Sequence, residues 1–237
     1  MKKNILALIT ARGGSKSIPH KNIVPLAGRP LLAYTCAAAQ GSRHISRTVL
    51  STDDPEIAEV GRACGVEVPF MRPAEIAQDK TPSIDVALHA VEWLAENEGW
   101  QTDILLLLQP TSPLRTATHI DEALDAMLQA DADTVVSVIP VPHSCSPYSI
   151  MRLENGRLSD FWTEPTPFNR YRRQEVPTFY ARNGPAVLAT KTPILFAKRG
   201  FYGDHIVPYL MNEHDSTDID EPFDLEYTEF LLNRKRE

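Results

Sequence analysis

Basic side chains and glycines are concentrated in one stretch near the start of the chain, directly after the apolar run from Asn4 to Thr10. This stretch runs from Ala11 to Asn22 and carries polar and cationic side chains at Arg12, Ser15, Lys16 and Lys21. A glycine-containing loop that follows a buried strand can turn its backbone N–H groups toward phosphates. Arginine adds a planar fork and lysine a mobile point charge. The stretch therefore predicts a polyphosphate site, and so a nucleotide.

The spacing of this loop excludes two familiar phosphate motifs. It reads neither G-x-x-x-x-G-K-[ST] nor G-x-G-x-x-G. The alternative interpretation is a basic, solvated surface turn. Gly13, Gly14 and Pro19 crowd one strand exit together with the cations, and strand exits are where doubly wound folds place their ligands. The pattern thus favours a ligand site.

A pair of carboxylates near the other end of the chain is suited to bind a hard cation. Asp218 and Asp220 stand just before the last predicted helix, and residues two apart in an extended segment face the same side. Oxygen ligands of this kind suit Mg²⁺, with Asp215 as a possible outer partner. Acidic residues before a helix are also common N-caps, favoured by the helix dipole. Both interpretations are open at this level.

Apolar runs alternate with helical patterns along most of the chain. The predicted strands are Ile5 to Ile9, Arg47 to Ser51, Val66 to Phe70, Asp103 to Leu108, Thr134 to Val138, Ala186 to Thr190 and His205 to Leu210. The predicted helices are Leu31 to Gln40, Asp54 to Cys64, Ser83 to Asn97, His119 to Gln129 (with Thr118 as its N-cap) and Pro222 to Leu232. Such alternation predicts a parallel sheet covered on both faces.

Composition limits the classes of function. The 237 residues are 43% hydrophobic with no break in composition, so we expect one α/β domain over residues 1–237. A net charge of -7 without a basic stripe argues against nucleic acid or a membrane surface as partner. No apolar run approaches the roughly 20 residues of a membrane span, and no signal-peptide cleavage site is visible, so a cytoplasmic protein is expected. The three cysteines fit neither a disulfide framework nor a zinc site.

The regular alternation stops at about residues 140–180. This stretch is rich in prolines and aromatics and contains the cluster Arg170, Arg172 and Arg173. An excursion of this length in a compact domain is usually functional or interfacial. The alternative is an ordinary insertion.

Six ordered segments resemble those of one enzyme family, the acylneuraminate cytidylyltransferases, which join CTP to a 2-keto sugar acid. The first is the loop from Ala11 to Asn22, similar to the family's opening signature A-R-x-G-S-K-x-I-P-x-K-N. The others are Ser51 to Asp53, Arg72 to Asp79, Leu108 to Thr116, Arg182 to Gly184 and Asp218 to Asp220. The resemblance spans nearly the whole chain in one order.

The resemblance implies a fold, a cofactor and partners. The fold is a three-layer, Rossmann-like nucleotidyltransferase sheet, mostly parallel, and the stretch at about 140–180 is an arm that packs on a second subunit. The expected cofactor is Mg²⁺. The expected partners are CTP, a nine-carbon 2-keto sugar acid and a second copy of the chain in a homodimer.

The resemblance also assigns roles to individual residues. The catalytic residues would be Arg12, Lys16, Lys21 and Asp220, and the metal ligands Asp218 and Asp220. Nucleotide contacts would come from Ala11, Arg12, Gly13, Ser15, Asn22 and Arg72. Sugar contacts would come from Gln109, Arg173, Asn183, Phe201 and Tyr202. Gln109 follows four leucines that must form a central strand, so its amide should lie at the carboxyl edge of the sheet.

Several of these residues have simpler interpretations. A surface salt bridge would explain Arg72, and core packing would explain Phe201 and Tyr202. Arg115 would serve as a helix cap, an ion-pair partner or a ligand contact. Asp79 could orient its own loop, and Ser83 could cap the helix that follows it.

Two departures from the family pattern concern the sugar. Sialic-acid-using members read Asn-Gly-Ala-Ile-Tyr where this chain reads Asn-Gly-Pro-Ala-Val-Leu from Asn183 to Leu188, and Ser146 to Tyr148 stands where such members carry a lysine. N-acetylneuraminate, legionaminic, pseudaminic and deaminated acids therefore all stay open. A sugar-1-phosphate nucleotidyltransferase and a non-catalytic nucleotide-binding module are the rival functions.

Overall fold

The first strand of the computed structural model is apolar and buried from Ile5 to Ile9, and a mixed sheet is built around it. The structure describes residues 3–170, 172–184 and 186–234. The strands are β1 Ile5–Thr10, β2 Pro25–Leu26, β3 Arg29–Pro30, β4 Arg47–Ser51, β5 Ile104–Leu108, β6 Thr134–Pro140, β7 Met151–Glu154, β8 Arg157–Asp160, β9 Tyr180–Arg182, β10 Leu188–Lys191 and β11 Ile206–Leu210. The helices are α1 Leu31–Gln40, α2 Pro55–Ala63, α3 Ser83–Glu98, α4 Ala117–Gln129, α5 Thr192–Lys198 and α6 Pro222–Arg234.

The main sheet has seven strands in the order β11-β6-β10-β5-β1-β4, with β9 also paired to β6. Strand β1 runs parallel to both of its neighbours, β4 and β5. Strand β10 is antiparallel to both β5 and β6, and β9 is antiparallel to β6. Because β10 is antiparallel to both β5 and β6, these two strands run in the same direction, and β11 is parallel to β6. The strands of this sheet other than β9 and β10 therefore all point one way. The predicted mostly parallel sheet is confirmed.

Helices cover both faces of this sheet, as its pattern of burial requires. Along β1, Ile5 and Ile9 pack into one core with residues of α1, α2 and α4. Leu6 and Leu8 point to the opposite face and pack with residues of α3 and α5. Successive strand residues face opposite sides, so a strand buried on both faces must be apolar throughout. The three-layer architecture follows.

The prediction of a strand from Val66 to Phe70 was wrong. Glu67 makes a bridge to Val49 beside β4, with backbone hydrogen bonds to Thr48 and Leu50. The ladder then stops, because Pro69 has no N–H group to donate.

The predicted cap of α4 was also misplaced. Thr116 is the N-cap, and its hydroxyl accepts a hydrogen bond from the backbone N–H of His119. Nδ1 of His119 accepts in return from the N–H of Thr116. Thr118 lies inside the first turn, because this reciprocal pair satisfies the helix end two residues earlier.

The segment predicted as an arm forms a two-stranded hairpin, β7 and β8. Asn155 and Gly156 at its tip both have positive φ, 51° and 74°, which matches a two-residue Asn-Gly hairpin turn. An aromatic cluster at the base of the arm packs the rings of Trp162, Phe168 and Phe179 around Tyr148 at centroid distances of 5.2–5.5 Å.

Candidate active site at the carboxyl edge of the sheet

The glycine-containing loop leaves β1 along a path fixed by its backbone contacts. The N–H of Ala11 donates to the carbonyl of Ser51 at 3.1 Å, and Ala11 is buried. The N–H of Gly13 donates to Oδ1 of Asp53 at 3.1 Å. A Cβ at Gly13 would lie 2.5 Å from a carboxylate oxygen of Asp54, so only glycine fits there. Ala11 and Gly13 therefore shape the loop.

Asn22 and Lys21 tie this loop to the rest of the molecule. The amide of Asn22 is buried and donates to the carbonyl of Arg12 at 2.9 Å. Nζ of Lys21 donates to the carbonyl of Ile219 at 2.8 Å and lies 3.2 Å from Oδ1 of Asp220. The cationic loop thus directly contacts the acidic segment almost 200 positions further along the chain.

A cavity of about 610 Å³ opens at this edge of the sheet. Its walls come from the loop after β1, from residues 72–83, from the end of β5 and from the acidic segment. It is lined by most of the residues predicted for the nucleotide, the metal and the catalytic step, together with one predicted for the sugar: Arg12, Ser15, Lys16, Lys21, Asn22, Arg72, Gln109, Asp218 and Asp220.

Arg72 is buried in the wall of this cavity. Its Nε donates to Oγ of Ser51 at 3.0 Å and its Nη2 to the carbonyl of the same serine at 2.5 Å. Burial lowers the pKa of Arg72 to about 10, against the opposing effect of the Asp53 charge. The alternative interpretation as a surface salt bridge was wrong, because the guanidinium is fixed to the end of β4.

Gln109 directly follows β5, and its backbone carbonyl accepts a hydrogen bond from a buried arginine. Nη1 of Arg115 donates to the carbonyls of Gln109 and Ala186, at 3.2 and 3.0 Å, and Nη2 to Oγ1 of Thr35 at 2.6 Å. Burial lowers the pKa of Arg115 to about 10. No carboxylate among the described residues forms an ion pair with it. Arg115 therefore joins the residue after β5, the segment before β10 and helix α1, and is neither a helix cap nor an acid's partner.

The acidic segment is anchored by the residue between its two carboxylates. Ile219 is fully buried beside Leu26 and Leu31, and its N–H donates to the carbonyl of Thr111 at 2.9 Å. Because alternate residues face opposite sides, Asp218 and Asp220 both line the cavity.

The carboxylates are not the caps of α6. Among the described residues, neither accepts a hydrogen bond from a backbone N–H of α6. Instead Oδ2 of Asp224, in the first turn, accepts from the N–H groups of Asp220 and Glu221, which precede the helix, at 2.9 and 2.8 Å. Burial raises the pKa of Asp218 against the opposing effect of the nearby Thr111 side chain, and the Asp220 charge adds to the rise. Oδ1 of Asp218 is buried without a hydrogen-bond partner among the described residues. A buried, unpartnered carboxylate oxygen is a suitable cation ligand.

These carboxylates form a pair and not a larger cluster. In the described part of the chain, no group of three or more histidine, cysteine, aspartate or glutamate side chains is arranged to hold a metal ion. Asp215 faces elsewhere, since its carboxylate accepts from the Asn212 amide and lies 3.7 Å from Nε2 of His119.

Four residues predicted for the sugar do not line this cavity. Asn183 is buried and its amide donates to Oγ of Ser216 at 2.8 Å. Phe201 and Tyr202 pack against the core on the α3 side, and the Tyr202 hydroxyl accepts from Arg182. Arg173 is exposed in the arm. Their roles toward a sugar stay predictions, and Pro185, part of the departure noted after Asn183, lies outside the described residues.

Sequence reasoning missed several polar residues of the cavity wall, namely Thr10, Gln78, Thr81, Ser83 and Thr111. Thr10 and Thr111 are recognisable in retrospect, because Thr10 is the last residue of β1 and Thr111 lies shortly after the end of β5. Ser83 is not a cap. It is the first residue of α3, whose N-cap is Pro82 without a side-chain hydrogen bond.

The sheet order and the position of this cavity define a Rossmann-like α/β fold with a candidate ligand site at the carboxyl edge of its sheet. Residues 6–235 match the family described as Cytidylyltransferase, and the chain belongs to that family. The family resemblance inferred from the ordered motifs is confirmed.

Known proteins similar to the chain fall into two groups by length. The chain is 32% identical over 236 residues to an N-acylneuraminate cytidylyltransferase of Escherichia coli, covering 99% of this chain but 54% of that protein. It is 33% identical to a CMP-N,N'-diacetyllegionaminic acid synthase of Legionella pneumophila, with 98% of each chain covered. The chain thus spans about half of one relative and nearly all of the other.

A solved structure confirms the fold. A CMP:2-keto-3-deoxy-manno-octonic acid synthetase complexed with CTP superposes with a TM-score of 0.71 at 16% identity, covering 98% of this chain and 100% of the other. None of the described helices is long and apolar enough to cross a membrane.

Proposed function

We propose that this protein activates a nonulosonic acid, a sialic-acid-like 2-keto sugar acid, with CTP. In this reaction the anomeric hydroxyl loses its proton and attacks the α-phosphorus of CTP. The bond from that phosphorus to the oxygen bridging to the β-phosphate breaks, so the CMP-sugar and pyrophosphate are formed. The observation that carries the proposal is a single cavity lined by the cations of the first loop, by Asp218 and Asp220, and by Gln109.

The names of the relatives support the substrate class. The Escherichia coli relative is an N-acylneuraminate cytidylyltransferase and the Legionella pneumophila relative a CMP-N,N'-diacetyllegionaminic acid synthase. Both names denote acids of the nonulosonic type joined to CMP, and they differ in the sugar. We therefore assign the class of acid and leave its substituents to experiment.

Phosphoryl transfer of this kind depends mainly on positioning and on stabilising charge. Arg12, Lys16 and Lys21 would neutralise the negative charge that moves onto the leaving pyrophosphate. Arg72 and Asn22, both buried and fixed by hydrogen bonds, would hold the nucleoside side of CTP. The amide of Gln109 can donate to one sugar hydroxyl and accept from another.

Asp218 and Asp220 would hold Mg²⁺. The donor set fits, because two carboxylates face one cavity and Oδ1 of Asp218 is buried without a hydrogen-bond partner among the described residues. Mg²⁺ commonly takes one or two protein carboxylates and completes its shell with water and phosphate oxygens. When bound, the ion would supply charge stabilisation at the phosphates.

A homodimer is proposed with this function. The hairpin of the arm exposes Leu153 and Leu158, at 71% and 64% of their surfaces, and a second copy of the chain would cover them. Arg173, exposed in the same arm, would then reach the sugar carboxylate in the neighbouring subunit, where an arginine fork suits a carboxylate. Mixing Arg173→Ala and Lys21→Ala proteins, each weakly active alone, should restore part of the activity through heterodimers. A monomer in sedimentation would contradict the proposal.

We also propose that the protein acts in the cytoplasm. Cys36, Cys64 and Cys145 are all unpaired, as expected in a reducing compartment. Fractionation of cells that produce the protein would check this.

The deciding experiment measures pyrophosphate release with CTP and a panel of eight- and nine-carbon 2-keto sugar acids. A parallel set of sugar 1-phosphates tests the rival nucleotidyltransferase. Turnover with a nonulosonic acid and none with the phosphates is the expected result. Binding of CTP without turnover on any acceptor would contradict the proposal and indicate a nucleotide-binding module.

A further inference from the structure

Asp79 joins two cations of the first loop, although it lies in a different part of the chain. Its Oδ1 accepts from Nη1 of Arg12, and its Oδ2 pairs with Nζ of Lys16. Both carboxylate oxygens are thus used on cations proposed to bind phosphates. These two cations hold the pKa of Asp79 below its usual range.

A tight turn presents this carboxylate to the cavity. The N–H of Gln78 donates to Oγ1 of Thr81, and the N–H of Thr81 donates back to the carbonyl of Gln78, both at 3.1 Å. Asp79 lies within this turn and lines the cavity. The turn follows Arg72, whose backbone N–H donates to the carbonyl of Thr52.

The contacts of Asp79 are those that a phosphate group would make. A carboxylate and a phosphate oxygen are both anionic acceptors for an arginine fork and a lysine ammonium. The third cation of the loop, Lys21, also pairs with a carboxylate of the cavity wall, that of Asp220. Asp220 belongs to the proposed metal pair, whereas Asp79 has no partner other than the two cations among the described residues.

We propose that Asp79 is an internal competitor for polyphosphate and so sets the affinity of the site. It releases Arg12 and Lys16 when nucleotide binds and takes them back as pyrophosphate leaves. This inference rests on the proposed function of the same cavity. When Asp79 occupies these cations in the free protein, the ligand can bind only those molecules in which they are free. The apparent dissociation constant is then the intrinsic constant divided by the fraction of such molecules.

The expected effect of removing the competitor is a gain in affinity. In Asp79→Asn the side chain keeps its shape and loses its charge. The dissociation constant for inorganic pyrophosphate should fall about 5-fold, the size expected when an exposed ion pair no longer competes. Turnover should become more sensitive to inhibition by added pyrophosphate.

Titration calorimetry with inorganic pyrophosphate in metal-free buffer tests this directly, because it needs neither sugar nor Mg²⁺. The matched control is Asp204→Asn, which removes an exposed carboxylate paired with Lys198 away from the cavity. Asp79→Ala is the second variant and should tighten binding in the same way. Unchanged affinity in both Asp79 variants would overturn the proposal, and weaker binding would show that Asp79 preorganises the cations instead.

The result also separates this inference from the proposed function. If no sugar acid supports CTP turnover while Asp79→Asn binds pyrophosphate more tightly, the competitor stands and the activity fails. If turnover is present and both Asp79 variants bind pyrophosphate like the unmodified protein, the activity stands and the competitor fails.

Discussion

Replacing Lys21 by methionine should separate the charge of this residue from its contribution to packing. The ammonium contacts the carbonyl of Ile219 at 2.8 Å and Oδ1 of Asp220 at 3.2 Å, while the side chain is 14% exposed. Lys21→Met keeps most of the apolar stem in place. The structural loss is an ion pair with a largely exposed aspartate and a hydrogen bond to the carbonyl of Ile219, so we expect stability to fall by about 1–3 kcal/mol.

The effect on catalysis should be larger. A hydrogen bond to a charged group is worth about 1.5–3 kcal/mol. If Lys21 makes such a contact with the phosphates in the transition state, its loss lowers kcat/KM by about 10- to 100-fold. The assay is pyrophosphate release at saturating sugar acid, with unfolding temperature measured in parallel.

Lys198→Met is the matched control for this substitution. Lys198 also pairs with an aspartate, Asp204, but lies away from the cavity, so its loss should leave turnover unchanged. Turnover near the unmodified level in Lys21→Met would refute a phosphate role for Lys21. A large drop in unfolding temperature would show instead that the residue acts mainly by holding the acidic segment.

Three further predictions concern the acidic segment and its surroundings. Asp220→Asn should raise the Mg²⁺ concentration needed for half-maximal turnover, because one anionic ligand becomes neutral; an unchanged Mg²⁺ titration would remove this residue from the metal site. Asp218 has a pKa raised by burial, so its ionised form destabilises the fold at neutral pH and this penalty vanishes below the pKa of the unfolded chain. Asp218→Asn should therefore raise the unfolding temperature at pH 7 and not at pH 3, while reducing turnover; equal shifts at both pH values would contradict this. Arg115→Lys should lower stability by about 1–3 kcal/mol, since an ammonium cannot reach both carbonyls and the hydroxyl that the guanidinium serves, and denaturant unfolding would measure the loss.

The sequence predicted best what is encoded locally. The loop from Ala11 to Asn22 and the pair Asp218 and Asp220 were recognisable because residue type and short spacing carry their chemistry. The apolar runs likewise predicted the central strands, since a strand buried on both faces has little freedom in composition. Only Val66 to Phe70 among them was wrong, and there Pro69 ends the pairing after a single bridge.

Contacts between distant parts of the chain could not be predicted in this way. Arg115 donates to Thr35 and Ala186, which lie 80 and 71 positions away, and nothing near Arg115 in the sequence indicates either partner. The ion pairs of Asp79 span a similar separation. Such contacts depend on how the sheet is assembled, and a strand pattern alone leaves the order of the strands open.

The contact between Lys21 and the segment at Ile219 has a consequence for synthesis on the ribosome. These residues are separated by 198 positions, so a nascent chain that already contains the cationic loop still lacks one wall of the cavity. The core around β1 also needs β5, which is made much later. Contacts of such long range form late in folding. The growing polypeptide should therefore acquire its full affinity for nucleotide only when residues 218–220 have left the exit tunnel, long after the phosphate loop itself has emerged.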